Sequence, residues 1–284
     1  MILIADSGST KCDWVVLDSS GEVVLKTSTL GLNPAILLEE EIKSIIYNNK
    51  ELASFFSKIN SLDFYGAGCG TETPRQNLED LLSIIFINAK VTVREDMMAA
   101  VLSVTTEPAI VCILGTGSNS CYFDGSKITT AFPSLGYIIM DDASGNYYGK
   151  QLIQDYYYDR MPWEIALKFN EEFLINSDKI KTNLYKKPNP NAYLASFAKF
   201  VFNTEDQDYY FYNMLSVGIS KFIKSHVLCY YEAKEVPIHF IGSIAHFSED
   251  IIKESFKNHN LKLGKFIRKP MDGLIEYYRN NKLK

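Results

Sequence analysis

Between two apolar, β-favouring runs, Ile2 to Ala5 and Trp14 to Leu17, the chain places Asp6, Ser7, Gly8, Ser9, Thr10 and Lys11. A tight hairpin needs about two turn residues, commonly Asn-Gly or Asp-Gly. An acid, hydroxyls, a glycine and a lysine together exceed that need and suit a negatively charged ligand, with or without a metal. A second turn of this kind lies in "IVCILGTGSNSCYFDG", where the apolar run Ile110 to Leu114 enters Gly115, Thr116, Gly117, Ser118 and Asn119. Glycines let backbone amides approach an anion and hydroxyls add donors, so the stretch reads either as a phosphate cradle or as a plain hairpin. A third glycine turn, "IGSIA" at Gly242 and Ser243, follows far downstream. Neither G-x-x-x-x-G-K-[ST] nor a helix-opening G-x-G-x-x-G with a later acid is present, which counts against P-loop and dinucleotide sites. Two cradles can grip a polyphosphate from both sides, with Asp6 near one of them to hold Mg²⁺ directly or through water.

The elements that must position these turns follow from periodicity and punctuation. Strands are expected at Ile2 to Ala5, Asp13 to Asp18, Glu22 to Ser28, Ser61 to Tyr65, Lys90 to Arg94, Ala109 to Leu114, Ser120 to Phe123 and Lys127 to Thr130. The first three read as an antiparallel meander. Helices fit Ile36 to Asn49 and Pro74 to Phe86, and "DMMAAVLSV" continues as a helix from the strand that ends near Arg94. The second half is richer in helices and aromatics: "GNYYGKQLIQDYYY", "NAYLASFAKFVF" and "YFYNMLSVGISKFIKSHVLCYY" carry apolar residues at helical spacing, and their Tyr and Phe read as core. "KKPNPNA" reads as a loop, "VPIHFIGSIAHF" as a strand, a turn and a helix, and "KPMDGLIEYYRNN" as a closing helix. Strands alternating with helices make the fold α/β.

Composition narrows the function classes. A chain of 284 residues exceeds one ordinary domain and suits two. Its 46% hydrophobic and 22% charged residues are those of a globular protein. The net charge of -5 argues against a protein built to hold nucleic acid. No apolar run reaches the roughly 18 to 20 residues that span a bilayer, and the N-terminus reads directly into a strand, so no membrane partner and a cytoplasmic address are expected. Five scattered cysteines, Cys12, Cys69, Cys112, Cys121 and Cys229, contain no C-x-x-C pair and suit free thiols.

The ordered motifs "DSGSTKCDW", "GLNPA", "REDMMAA", "GTGSN", "GYIIMDDASG" and "IGSIA" resemble those of the sugar kinase, actin and Hsp70 ATPase superfamily, and within it the N-acetylglucosamine kinase and BadF/BadG-type ATPase family. The resemblance covers nearly the whole chain. It implies a two-domain, ribonuclease H-like (actin-like ATPase) fold with a nucleotide cleft between domains 1–115 and 116–284, the last helix packing back on the first. It also implies ATP and Mg²⁺, with Asp6 helping to place the metal. The ATP phosphates would be lined by Ser7, Gly8, Ser9, Thr10 and Lys11, and from the other side by Gly115, Thr116 and Gly117. Gly242 and Ser243 would flank the adenosine. Sugar contacts fall to Asn33, Ser118, Asn119, Gly136 and Asp141, and Asp96 matches the family's catalytic base.

Asp96 follows a strand and opens a helix, where a carboxylate can serve as an N-cap. A kinase acting on an alcohol needs one carboxylate to align the hydroxyl and take up its proton, and Asp96 suits that task too. Glu95 is the neighbouring alternative, but on a strand it points to the opposite face. Where the family reads G-D-E-G-S-G, this chain reads Met140, Asp141, Asp142, Ala143, Ser144, Gly145. Two glycines are lost and a Glu is shortened to Asp, and the expectation is a backbone barred from conformations open mainly to glycine. The reading is an ATP-dependent kinase of an amino-sugar hydroxyl, foremost the 6-hydroxyl of N-acetylglucosamine, acting as a monomer or homodimer. The alternatives are an ATPase coupled to a protein partner and a noncatalytic sugar or nucleotide sensor.

Overall fold

The computed structural model describes every residue except Ser9, 204–208 and Lys284, together with the side chain of Asn203. The chain forms two compact units, Met1–Val104 with Pro270–Lys284, and Thr105–Lys269.

The first unit holds strands β1 (Ile2–Ser7), β2 (Lys11–Leu17), β3 (Val23–Leu30), β4 (Ser61–Gly66) and β5 (Lys90–Glu95) in the order β3-β2-β1-β4-β5. The opening meander is antiparallel, and β1, β4 and β5 run parallel. Helices cover both faces, which explains why β1 and β2 read as nearly unbroken apolar runs. On one face, Leu3, Ala5, Trp14, Val16 and Phe64 pack with Ile42 and Ile46 of the helix Glu39–Asn48, and with Leu78, Leu81 and Leu82 of the helix Glu72–Ile85. On the other, Ile4, Val15, Leu17 and Tyr65 meet Ala99 of the helix Asp96–Val104, and Met271, Leu274, Ile275 and Tyr278 of the closing helix Pro270–Asn281. The Tyr65 and Tyr278 hydroxyls lie 2.8 Å apart, tying that helix to β4.

The second unit repeats the plan with β6 (Ala109–Leu114), β7 (Ser118–Phe123), β8 (Ile128–Thr129), β9 (Ile238–Ile241) and β10 (Leu263–Ile267), ordered β10-β9-β6-β7-β8. Its helices supply an aromatic core in which the Phe169 ring lies 5.1 Å from both Phe173 and Phe200 and 5.9 Å from Phe197. Three expectations need correction. The "KKPNPNA" loop ends early, because Pro190 opens the helix Pro190–Phe197 with left-handed Asn189 before it; proline's fixed φ and missing N–H suit the first helical position. The helix from Tyr209 stops at Phe222 and passes into a π-helical turn, Ile223–Val227, where the His226 ring stacks on Phe222 at 4.7 Å. The "NAYLASFAKFVF" helix divides at Ala198 into Pro190–Phe197 and Lys199–Asn203.

Candidate active site

Register decides which acids meet. Asp6 pairs with Asp13 across β1 and β2 and with Tyr65 across β1 and β4, so these side chains share one face. That face also receives the helix Asp96–Val104, which begins directly at the end of β5. The carboxyl of half-buried Asp6 is pushed up to about 7, first by burial, then by the charges of Asp96 and Asp13. Among the described residues no donor or cation pairs with it, since Lys11 Nζ sits 2.6 Å from Asp13 Oδ1 instead. A carboxylate crowded by two others and lacking a cation fits a Mg²⁺ position. No group of three or more His, Cys, Asp or Glu among the described residues could cage a metal, and Mg²⁺ ordinarily takes one or two carboxylates plus phosphates and water.

Asp96 is also pushed up by burial, opposed by its own amide and that of Met97, which donates to Oδ1 at 2.9 Å. The carboxylate therefore does cap its helix, and it does so on the Asp6 face. Glu95 pairs with Gly66, on the face of Phe64 and Ser7, turned away from Asp6.

Strand β1 runs on to Ser7 and β2 starts at Lys11, so both strands reach into the expected turn. Gly8 N–H donates to the Lys11 carbonyl at 2.9 Å, and Thr10 is half-buried. Ser9 lies outside the described residues. The Ser7 hydroxyl is fully buried on the opposite face and accepts Leu32 N–H at 2.8 Å, so this side chain braces the segment leading to Asn33. Asn33 Oδ1 accepts Ala35 N–H at 3.0 Å, and its carbonyl accepts the amides of Ile36 and Leu37. The carboxamide lies against Gly68 (φ +80°), where a Cβ would stand 2.8 Å from Asn33 Cγ.

In the second unit the turn Gly115–Thr116–Gly117 is fastened to the N-terminus of the helix Gly145–Tyr157. Gly145 N–H donates to Gly115 O at 2.8 Å and Asn146 N–H to Thr116 O at 3.0 Å. The Thr116 side chain stays exposed. Ser118 and Asn119 belong to β7; Asn119 Oδ1 accepts Ser120 N–H at 2.9 Å, while Ser118 Oγ is buried without a partner among the described residues. Gly136 (φ +78°) turns the chain ahead of Met140, whose N–H donates to the Gly136 carbonyl at 2.8 Å. Asp141, only 7% exposed, lies against Gly117, where a Cβ would stand 2.7 Å from Oδ2. Gly242 (φ +113°) leaves no room for a Cβ beside the Leu114 carbonyl, which sets the third turn against the second; Ser243, the first residue of the following helix, is exposed.

The backbone expected to be barred by lost glycines is adopted nonetheless. Ala143, at a position where the family has glycine, takes φ +57°, and Asp141 takes φ +69°. Such left-handed residues cost roughly 1–2 kcal/mol each, offset here by the buried hydrogen bonds around Ser144. Asp142 is held by Lys221 at 2.8 Å. Gly68 and Asn146 were not singled out from the sequence, and Ser144 entered only as part of the "GYIIMDDASG" motif; the glycine-rich "YGAGCG" marks Gly68, and nothing local marks Asn146.

No family profile matches the chain, and no curated protein sequence does. Among solved structures, a candidate N-acetylglucosamine kinase from Porphyromonas gingivalis is 34% identical over 99% of both chains, with a TM-score of 0.91. A candidate N-acetylglucosamine kinase from Chromobacterium violaceum has a TM-score of 0.73 at 16% identity, over 97% of this chain and 98% of the other. A ROK family glucokinase from Streptomyces griseus, solved with glucose and AMPPNP, has a TM-score of 0.56 at 13% identity over 97% of each chain. These last two likenesses are of fold. No helix among the described residues is long and apolar enough to cross a membrane.

Proposed function

Since the chain belongs to the N-acetylglucosamine kinase family of the sugar kinase, actin and Hsp70 ATPase superfamily, we propose that it transfers the γ-phosphate of ATP to an amino sugar, at the 6-hydroxyl of N-acetylglucosamine. The observation that carries the chemistry is the convergence of Asp96 and Asp6 on one face of the first sheet, each with its carboxyl pushed up by burial. Asp96 takes the proton of the attacking hydroxyl while the sugar oxygen bonds to the γ-phosphorus and ADP departs with the electrons of the broken P–O bond. A raised carboxyl is a stronger base than one in water, which suits this transfer. Asp6 would hold Mg²⁺, which when bound neutralises charge on the phosphate oxygens.

In the first unit, Gly8, Ser9, Thr10 and Lys11 offer amides, hydroxyls and an ammonium to phosphate, with Ser7 acting through its brace to Leu32. In the second, Thr116 offers an exposed hydroxyl on a turn whose Gly115 and Gly117 carry no obstructing side chain, and Gly242 and Ser243 receive the adenosine. Asn33, Ser118, Asn119, Gly136 and Asp141 contact the sugar; the unpartnered buried hydroxyl of Ser118 supports this, since such a group costs stability until a ligand pairs with it.

The test incubates the protein with ATP, Mg²⁺ and a panel of hexoses and amino sugars, with products read by mass and the phosphorylated position by NMR. N-acetylglucosamine 6-phosphate is expected. ATP turnover that no sugar stimulates would overturn the reading.

A further inference from the structure

Asp141, buried like Ser118 among the proposed sugar contacts, is constrained by its surroundings more than a substrate contact requires. Its Oδ2 accepts the Nδ2–H of Asn146 at 2.9 Å. Asn146 is only 2% exposed, and its Oδ1 lies 2.9 Å from the Ser144 hydroxyl. That hydroxyl is in turn 2.6 Å from the Asp141 carbonyl and accepts Tyr147 N–H at 3.2 Å, capping the helix. The carboxamide can stand only one way round, because a carboxylate oxygen accepts and never donates, so Nδ2 must face Asp141. Gly117 also crowds the tied oxygen, with a would-be Cβ 2.7 Å from Oδ2 but 3.4 Å from Oδ1. One carboxylate oxygen is thus tied and crowded, while the other stands freer.

We infer that Asn146 is a positioning residue for sugar recognition: by holding Asp141 Oδ2, it presents Oδ1 as the acceptor that a sugar hydroxyl meets. This rests on the proposed function, in which Asp141 contacts the sugar. Asn146 itself touches no substrate and acts through Asp141. It also explains why an aspartate persists in a left-handed conformation at φ +69°: the backbone strain is held by hydrogen bonds that aim one oxygen.

Asn146→Ala removes the donor while keeping the backbone N–H that binds Thr116 O. Loss of a hydrogen bond to a charged group is expected to raise KM for N-acetylglucosamine by roughly 10- to 100-fold, with KM for ATP within twofold and kcat within a few-fold. In the Asp141→Ala background the same substitution should add nothing, because its route has been removed. Asn146→Asp is the second variant. It keeps the shape, places an acid in the first turn of a helix where it is tolerated, and replaces the donor with a repelling carboxylate. It should raise the sugar KM at least as far. Equal effects of Asn146→Ala with and without Asp141, or parallel rises in both KM values, would overturn the inference. Crystal structures of the wild type and Asn146→Ala separate this failure from failure of the kinase reading. The carboxylate of Asp141 should swing from its wild-type position whether or not any sugar is phosphorylated, and an unmoved carboxylate would refute the positioning role.

Discussion

Gly117→Ala tests whether the second turn serves the sugar through Asp141. Gly117 is not among the residues with left-handed φ, so alanine meets no backbone penalty there. The difficulty lies in front of it: the new methyl would stand 2.7 Å from Asp141 Oδ2 and 3.2 Å from Cγ. Ordinary contact begins near 3.4 Å, so the carboxylate must retreat by about 0.7 Å (3.4 less 2.7). Asn146 holds that same oxygen at 2.9 Å, so a shift of that size spoils the geometry of the hydrogen bond. Losing alignment at a charged acceptor costs about 1.5–3 kcal/mol, or roughly 10- to 150-fold in sugar affinity. Global stability should fall by no more than about 1 kcal/mol, because alanine also restricts the unfolded chain. Calorimetric titration with N-acetylglucosamine, beside urea unfolding, reads both quantities. Sugar affinity unchanged in a normally folded variant would refute the placement of Asp141 in the sugar site.

Ser7→Ala strands the buried Leu32 N–H and should cost about 1–3 kcal/mol by urea unfolding; an unchanged midpoint would mean that this brace is idle. For Asp6 the folded carboxyl lies near 7 and the unfolded one near 3.8, so the folded state binds the extra proton. Stability from that proton is complete below about pH 4 and lost as pH rises through about 7. Without divalent cations, Asp6→Asn should therefore flatten the profile and exceed the wild type at pH 8 by on the order of 4 kcal/mol; parallel profiles would contradict this. Thr10→Val and Thr116→Val should each weaken binding of an ATP analogue by roughly 5- to 150-fold, the equivalent of about 1–3 kcal/mol. Unchanged affinity in both would make the two turns ordinary hairpins.

The acids were legible where a local rule governed them. Asp6 ends an apolar run before a polar turn, and Asp96 sits at a strand-to-helix junction, so periodicity located both. Strand alternation also turned Glu95 away from Asp96, as the register shows. What the sequence concealed depends on partners distant along the chain. The inward turn of Ser7 requires Leu32, 25 residues later, and the grip on Asp141 requires Asn146 together with the space left by Gly117. The left-handed Ala143 defies its propensity because buried hydrogen bonds around Ser144 outweigh it. Strand β10 escaped notice because, at the edge of its sheet, it carries Lys265 and Gly264 instead of an apolar run.

The account turns on Asp96 as the base of a phosphoryl transfer to a sugar. Asp96→Asn keeps the side chain's shape and an oxygen to cap Met97 N–H. The measurement is the rate of N-acetylglucosamine 6-phosphate formation by this variant and the wild type at saturating ATP and Mg²⁺, with sugar affinity determined in parallel. The account predicts near-native folding, much of the sugar affinity retained, and transfer slowed by roughly 100-fold or more. Near-normal transfer by Asp96→Asn would contradict it and leave Asp96 a helix cap.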